Sequence, residues 1–186
     1  RLCAAKERCR ALGSGMLAEM GKLQGRVWIF DDNVDTDQIL PGYAMAEDAS
    51  KLAAFAMAGS KVADFAKQVQ AGDIIVAGKN FGCGSSREQA PVALKNVGVG
   101  MIIANSFARI FRRNSINIGL PVMLADVGAK LQNGEVVSVD LETGEIHTAA
   151  GWFNGQPLSE NVLATIRAGG LINRVRQELN ISSGRK

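Results

Sequence analysis

Apolar positions 74–77 (IIVA) form a run too short for a helix and too continuous for a half-exposed strand, which predicts a buried parallel strand over 73–78. The pattern then alternates: a turn-rich segment, a helix over 86–97 closed by Gly98, a strand over 100–104, a helix over 106–116 and a strand over 121–125. Such alternation makes parallel crossovers, which are right-handed almost without exception. Upstream, 26–30 (RVWIF) is rich in β-formers and predicts a first strand, preceded by a helix-friendly stretch over 16–23. Between 49 and 70 two alanine-rich helical pieces are expected on either side of Gly59, with Leu52, Phe55, Ala56, Val62, Phe65, Ala66 and Val69 facing a core. From Gly134 onward the period changes to 2, giving a hairpin of 136–141 and 145–149 around Thr143-Gly144. A helix follows from Ser159 and Glu160, with Val162, Leu163 and Ile166 on one face and Gly169-Gly170 as its stop; a last short helix covers 171–179. The fold class is therefore α/β: one domain over 21–180, a mostly parallel central sheet and an added hairpin.

Between the strand at 73–78 and its helix lies Gly82-Cys83-Gly84-Ser85-Ser86-Arg87-Glu88. Two glycines permit backbone shapes that side chains forbid, and Ser85 or Ser86 is a candidate helix cap. A strand end, a glycine-rich turn and a helix start present unpaired N–H groups to an anion, here joined by two hydroxyls and a guanidinium. This reads as a carboxylate site with an oxygen nucleophile or base; an ordinary turn is the competing reading. The α/β-hydrolase elbow pattern is absent, no histidine falls in this stretch to serve as base, and the P-loop lysine spacing is missing.

Other candidates change the picture less. Residues 31–38 (DDNVDTDQ) hold four aspartates, but without the glycine and distant glutamate of a calcium loop. They read as a capped turn or as a functional loop beside Ser85, since sites in α/β domains gather at the carboxyl ends of strands. Arg109 stands near a helix start at such an end, with Asn105 and Ser106 as its capping signal; Arg112 and Arg113 fall on a solvated face or a partner surface. His147 reads as a surface or structural residue.

The 186 residues are 47% hydrophobic, enough for one sizeable core, and no apolar run reaches membrane-spanning length. The net charge of +3 is carried by Arg1, Lys6, Arg8 and Arg10 against Glu7, so the remainder is neutral and no basic tract points to nucleic acid. Residues 1–20 read as a leader or an appended segment, because Gly-Ser-Gly stands directly before Met16; 181–186 read as a polar tail. Cys3, Cys9 and Cys83 are too few and too scattered for a disulfide framework or a set of metal ligands, which suits the cytoplasm and leaves this chain without a cofactor of its own.

The strings DDNVDTDQILPG, GDIIVAGKNFGCGSSREQAPVALK and ANSFARIFRRNSINIGLP closely resemble the small subunits of isopropylmalate dehydratases, equivalent to the swivelling domain of aconitase-family hydro-lyases, over roughly residues 24–180. The resemblance implies a mobile β/β/α domain closing over a separate large subunit that carries a [4Fe–4S] cluster. It implies isomerisation of 2- and 3-isopropylmalate by loss and return of water in leucine biosynthesis, with a small dicarboxylic hydroxy acid as substrate. By that likeness Ser85 is the catalytic base, and Arg87, Ser86, Asp37, Thr36 and Arg109 surround the substrate. Tyr43, Ala44 and Met45 occupy the loop that selects the substrate's side group. Two positions depart from the pattern: Gln89 replaces a histidine, and Pro41-Gly42-Tyr43-Ala44-Met45 is one residue shorter than the usual loop and lacks its arginine. Dimethylmalate and homocitrate thus stay open as substrates, and so does a non-catalytic anion-binding module. An apolar loop tip suits an alkyl group better than a third carboxylate, which would need a cation.

Overall fold

The buried run at 74–77 is strand β2 (Ile74–Ala77) of a seven-stranded sheet ordered β4-β3-β2-β1-β5-β6-β7, in a computed structural model that describes residues 21–180. The expectations for residues 1–20, which include Cys3 and Cys9, and for the tail at 181–186 lie outside the described residues. Strands β1 (Lys22–Ile29), β2, β3 (Met101–Ala104) and β4 (Val122–Leu124) are mutually parallel. Strands β5 (Val136–Asp140), β6 (Glu145–Thr148) and β7 (Gly151–Asn154) continue antiparallel from the other side of β1. The expected hairpin is thus the middle of a larger antiparallel wing, and β7 was not foreseen.

Strand β1 serves both halves with different residues. Lys22 to Arg26 pair with β5, whereas Val27, Trp28 and Ile29 pair with β2. The sheet folds over about this strand, so the parallel strands are covered on both faces. On one face Trp28, Ile75, Ala77, Ile102 and Ala104 pack against helical residues that include Phe65, Leu94 and Phe111. On the other, Val27, Ile74, Val76, Met101 and Ile103 meet Val137, Val139 and Ile146 of the wing together with Leu163 and Ile166. The layering is β/β/α, as the resemblance implied, and the continuous apolar runs follow from burial on both sides.

The helices are α1 (Thr36–Ile39), α2 (Phe65–Gln68), α3 (Gln89–Val97), α4 (Arg109–Asn117), α5 (Glu160–Arg167) and α6 (Leu171–Glu178). None of them is long and apolar enough to cross a membrane. Several boundaries differ from the sequence reading. The stretch at 16–23 is not helical where it is described, because Lys22 and Leu23 belong to β1. The alanine-rich stretch gives only a 3-10 turn at Leu52–Phe55 and the single turn α2. Met57 takes a φ of 60°, donates its N–H to Ile39 O and so ties the segment to the end of α1, which breaks any continuous helix. Helix α3 starts at Gln89 rather than 86, and Pro91 explains why: in a helix begun at 86 its missing N–H would face Arg87 O, whereas in the first turn that N–H has no partner to lose.

One charge is buried at the end of β2 away from the glycine-rich turn. Asp73 Oδ2 accepts from Trp28 Nε1 (2.7 Å), Arg26 Nη2 (2.8 Å) and Gln70 N (2.9 Å), and Arg26 lies over the Trp28 ring. Burial pushes the Asp73 carboxyl up, but the donors from Arg26, Gln70 and Trp28 outweigh it and hold it below the usual carboxylate value. Asp73→Ala leaves those donors without an acceptor and costs about 3 kcal/mol in urea unfolding at pH 7. Because the folded-state value is depressed, this contribution is present above about pH 4 and is lost as the pH falls through the lower folded value, so the gap between wild type and variant narrows in acid.

Candidate functional site

Three loops leave the carboxyl ends of β1, β2 and β3 and bond to one another. Residues 31–40 follow β1 and residues 78–88 follow β2, and the two run side by side. Gly82 N donates to Val34 O (2.7 Å) and Thr36 N to Cys83 O (2.8 Å), across a parallel bridge between Asp35 and Cys83. The loop after β3 joins them through Phe81 N to Ser106 O (3.0 Å) and Ala108 N to Phe81 O (2.9 Å).

The four aspartates of the first loop separate by task. Asp31 pairs with Lys61, and Asp32 Oδ1 accepts the Lys79 N–H at 2.6 Å. Asp35 caps α1 through Gln38 N (2.8 Å), while Gln38 Oε1 accepts the Asp35 N–H in return. Asp37 reaches Arg87. The capped-turn reading therefore describes Asp35, whereas Asp37 serves the neighbouring loop. Among the described residues no three His, Cys, Asp or Glu side chains stand where they could share a metal ion.

The glycine-rich turn is built against these residues. Gly82 has φ +75°, and a Cβ there would sit 2.2 Å from Phe111 Cγ; Gly84, at φ +96°, lies over Thr36 Oγ1. Thr36 is buried, and its hydroxyl oxygen accepts the Ser85 N–H at 3.1 Å. Ser85 and Ser86 are exposed. Neither caps α3: the cap position is Glu88, which makes no side-chain cap bond. Among the described residues no backbone or side-chain acceptor takes the N–H of Ser86 or Arg87, which leaves these donors free for a ligand. Arg87 is 21% exposed at its side chain, with Nη1 on Asp37 Oδ1 and 3.5 Å from Leu40 O.

Sequence reasoning thus named a group that the fold assembles: Thr36, Asp37, Ser85, Ser86 and Arg87 share one rim. It missed the cross-loop bonds of Val34, Cys83 and Leu40, which are backbone contacts and leave no side-chain signature. Arg109 begins α4 on the same edge of the sheet, but it lines a separate depression of about 410 Å³ with Ile110 and Arg113. The capping signal at Asn105 and Ser106 is engaged otherwise: Ser106 Oγ accepts the Asn80 N–H at 2.7 Å and Asn105 Nδ2 donates to Asp126, so α4 starts at Arg109. In the loop after Pro41, a 3-10 turn of Gly42–Ala46, Ala44 is fully buried, and the exposed tip consists of Tyr43 and Met45. His147 is exposed and pairs with Glu145.

A [4Fe–4S] cluster needs several thiolates, and the only cysteine among the described residues is Cys83, so these residues do not fit such a group. What the rim offers is an exposed hydroxyl, two N–H groups without an acceptor among the described residues and a guanidinium held by a carboxylate: parts for gripping a carboxylate and moving a proton beside it.

Known proteins match this chain in sequence and in fold. The aconitase C-terminal domain family is matched over residues 57–126. The chain is 54% identical over 156 residues to the methanogen homoaconitase small subunit of Methanothermobacter thermautotrophicus, covering 82% of this chain and 90% of that protein. It is 44% identical over 162 residues to the 3-isopropylmalate dehydratase small subunit of a Hydrogenobaculum species, covering 85% and 98%. The crystal structure of 3-isopropylmalate dehydratase from Methanocaldococcus jannaschii superposes with a TM-score of 0.81 at 41% identity, covering 86% of this chain and 96% of that one.

Proposed function

Because the chain belongs to the aconitase-type dehydratase small-subunit family, we propose that it is the small subunit of a two-chain hydro-lyase interconverting 2- and 3-isopropylmalate. The observation that carries this reading is the glycine-rich turn docked on the first loop, with the Ser85 N–H held by Thr36 and Arg87, two positions on, held by Asp37. Ser85 takes the proton from the carbon next to a carboxylate, the hydroxyl departs from the neighbouring carbon, and water returns with the two positions exchanged. A neutral serine hydroxyl is a weak base. The Ser85 oxygen works as an anion, held by the free N–H groups of Ser86 and Arg87 and by the Arg87 charge. Arg87 and Ser86 grip the substrate carboxylate, and Asp37 keeps the guanidinium in place. Thr36 acts on Ser85 from beneath and does not touch substrate. The Lewis acid for the departing hydroxyl comes from outside this chain, on a large subunit that carries the [4Fe–4S] cluster. The pair works in the cytoplasm and serves leucine biosynthesis.

The substrate's side group is read from the tip of the 42–46 loop. Tyr43 and Met45 are exposed there and no cation stands between them, which suits an isopropyl group. The relative named homoaconitase favours a second reading, a substrate of the homocitrate type, for which a third carboxylate would have to be neutralised by the partner. Turnover by the two co-expressed chains decides: isopropylmalate should be processed fastest among isopropylmalate, citramalate, dimethylmalate and homocitrate, and a preference for homocitrate overturns the assignment.

Arg87→Lys keeps the charge but loses the two-pronged donor geometry. It is expected to raise KM for the diacid about 10- to 100-fold with a smaller change in kcat. Steady-state kinetics with saturating large subunit measure it.

A further inference from the structure

The first turns of α4 carry three arginines. Among the described residues Arg26, Arg87, Arg167 and Arg174 each pair with a carboxylate, whereas Arg109, Arg112 and Arg113 on α4, like the isolated Arg176 on α6, have none within ion-pair distance. Arg109 and Arg113 flank Ile110, which is 43% exposed, and these three residues line the depression of about 410 Å³. Arg112, half-buried beside them, has its Nε enclosed by the fold with no hydrogen-bond acceptor among the described residues. The patch is also fixed relative to the glycine-rich turn: Phe111 on the same helix packs edge-on against Phe81 with ring centroids 5.3 Å apart and fills the space over Gly82.

We propose that Arg109, Ile110, Arg112 and Arg113 form the docking surface for an acidic segment of the large subunit, whose carboxylates meet the guanidinium groups while an apolar side chain enters the depression over Ile110. This rests on the two-chain reading above. Charge complementarity names the occupant: a second copy of this chain would set arginine against arginine, and the substrate is already held at the rim by Arg87 and Ser86. Ile110 between the arginines supplies the apolar contact that distinguishes a docking face from a merely solvated one.

The test is titration of wild type, Arg113→Glu and Ile110→Asp with purified large subunit, reading both association and isopropylmalate turnover. Each variant is expected to raise the half-saturating large-subunit concentration about 10- to 100-fold, with turnover at saturation within about twofold of wild type. Wild-type association should weaken as salt rises, and the dependence should flatten in Arg113→Glu. Arg176→Glu, an exposed substitution on α6, should change neither quantity. Unchanged association in both α4 variants overturns the proposal, as does a loss of turnover at saturation with association intact, which would assign the patch to substrate. Thermal unfolding of each variant guards against a folding defect. If wild type binds no large subunit and turns over no substituted malate, the two-chain reading itself falls, a result distinct from wild-type assembly with indifferent variants.

Discussion

Replacing Ser85 by alanine is expected to cut turnover of the assembled enzyme about 10³-fold while the two chains still associate. The side chain is exposed and its hydroxyl bonds nothing among the described residues, so the substitution should change stability by less than about 0.5 kcal/mol. The held part is the Ser85 N–H on Thr36, which alanine retains. A loss confined to the proton-transfer step would lower kcat and kcat/KM together, since binding through Arg87 and Ser86 persists. Turnover above a tenth of wild type with normal assembly would remove Ser85 from the chemistry. Single-turnover assays on the reconstituted pair supply the measurement.

Gly82→Ala is expected to cost about 3–4 kcal/mol and to lower activity with it. Two penalties combine at this position. The backbone sits at φ +75°, where an L side chain is strained, and the new Cβ would fall 2.2 Å from Phe111 Cγ and 2.6 Å from Phe111 Cβ. The ring cannot retreat freely, because it is packed edge-on against Phe81. Gly134 separates the two penalties: it has φ +88° but nothing within 4 Å of its notional Cβ, so Gly134→Ala should cost only about 1–2 kcal/mol. Urea unfolding of both variants at matched m-values reads the difference. Equal losses would mean that the Phe111 contact is relieved by local movement.

The strands and both faces of the parallel sheet were legible because burial on two sides writes itself into unbroken apolar runs such as 74–77 and 101–104. The helix starts were not. Ser85 and Ser86 look like caps, as do Asn105 and Ser106, yet Asn105, Ser106 and the Ser85 backbone are engaged in cross-loop contacts, and the helices begin three or four positions later. Pro91 held the correction for α3 in plain view, whereas nothing local foretold that Met57 would donate to Ile39. Residues 49–70 show the same limit, since alanine favours a helix only where tertiary contacts leave the backbone free. At the site, the motif GCGSSRE and the acidic loop were readable. That Thr36 lies beneath Ser85, and that Ala44 points into the core while Tyr43 and Met45 face out, depended on how two loops meet.

The double pairing of β1 has a consequence for how the chain acquires its shape. The strand that feeds the acidic loop is matched along its first half to partners as distant as Asp140, opposite Lys22. Closing so long a span costs chain entropy before any contact repays it. During synthesis that half of β1 has to wait, with its hydrogen-bonding edge open, until most of the polypeptide has left the ribosome.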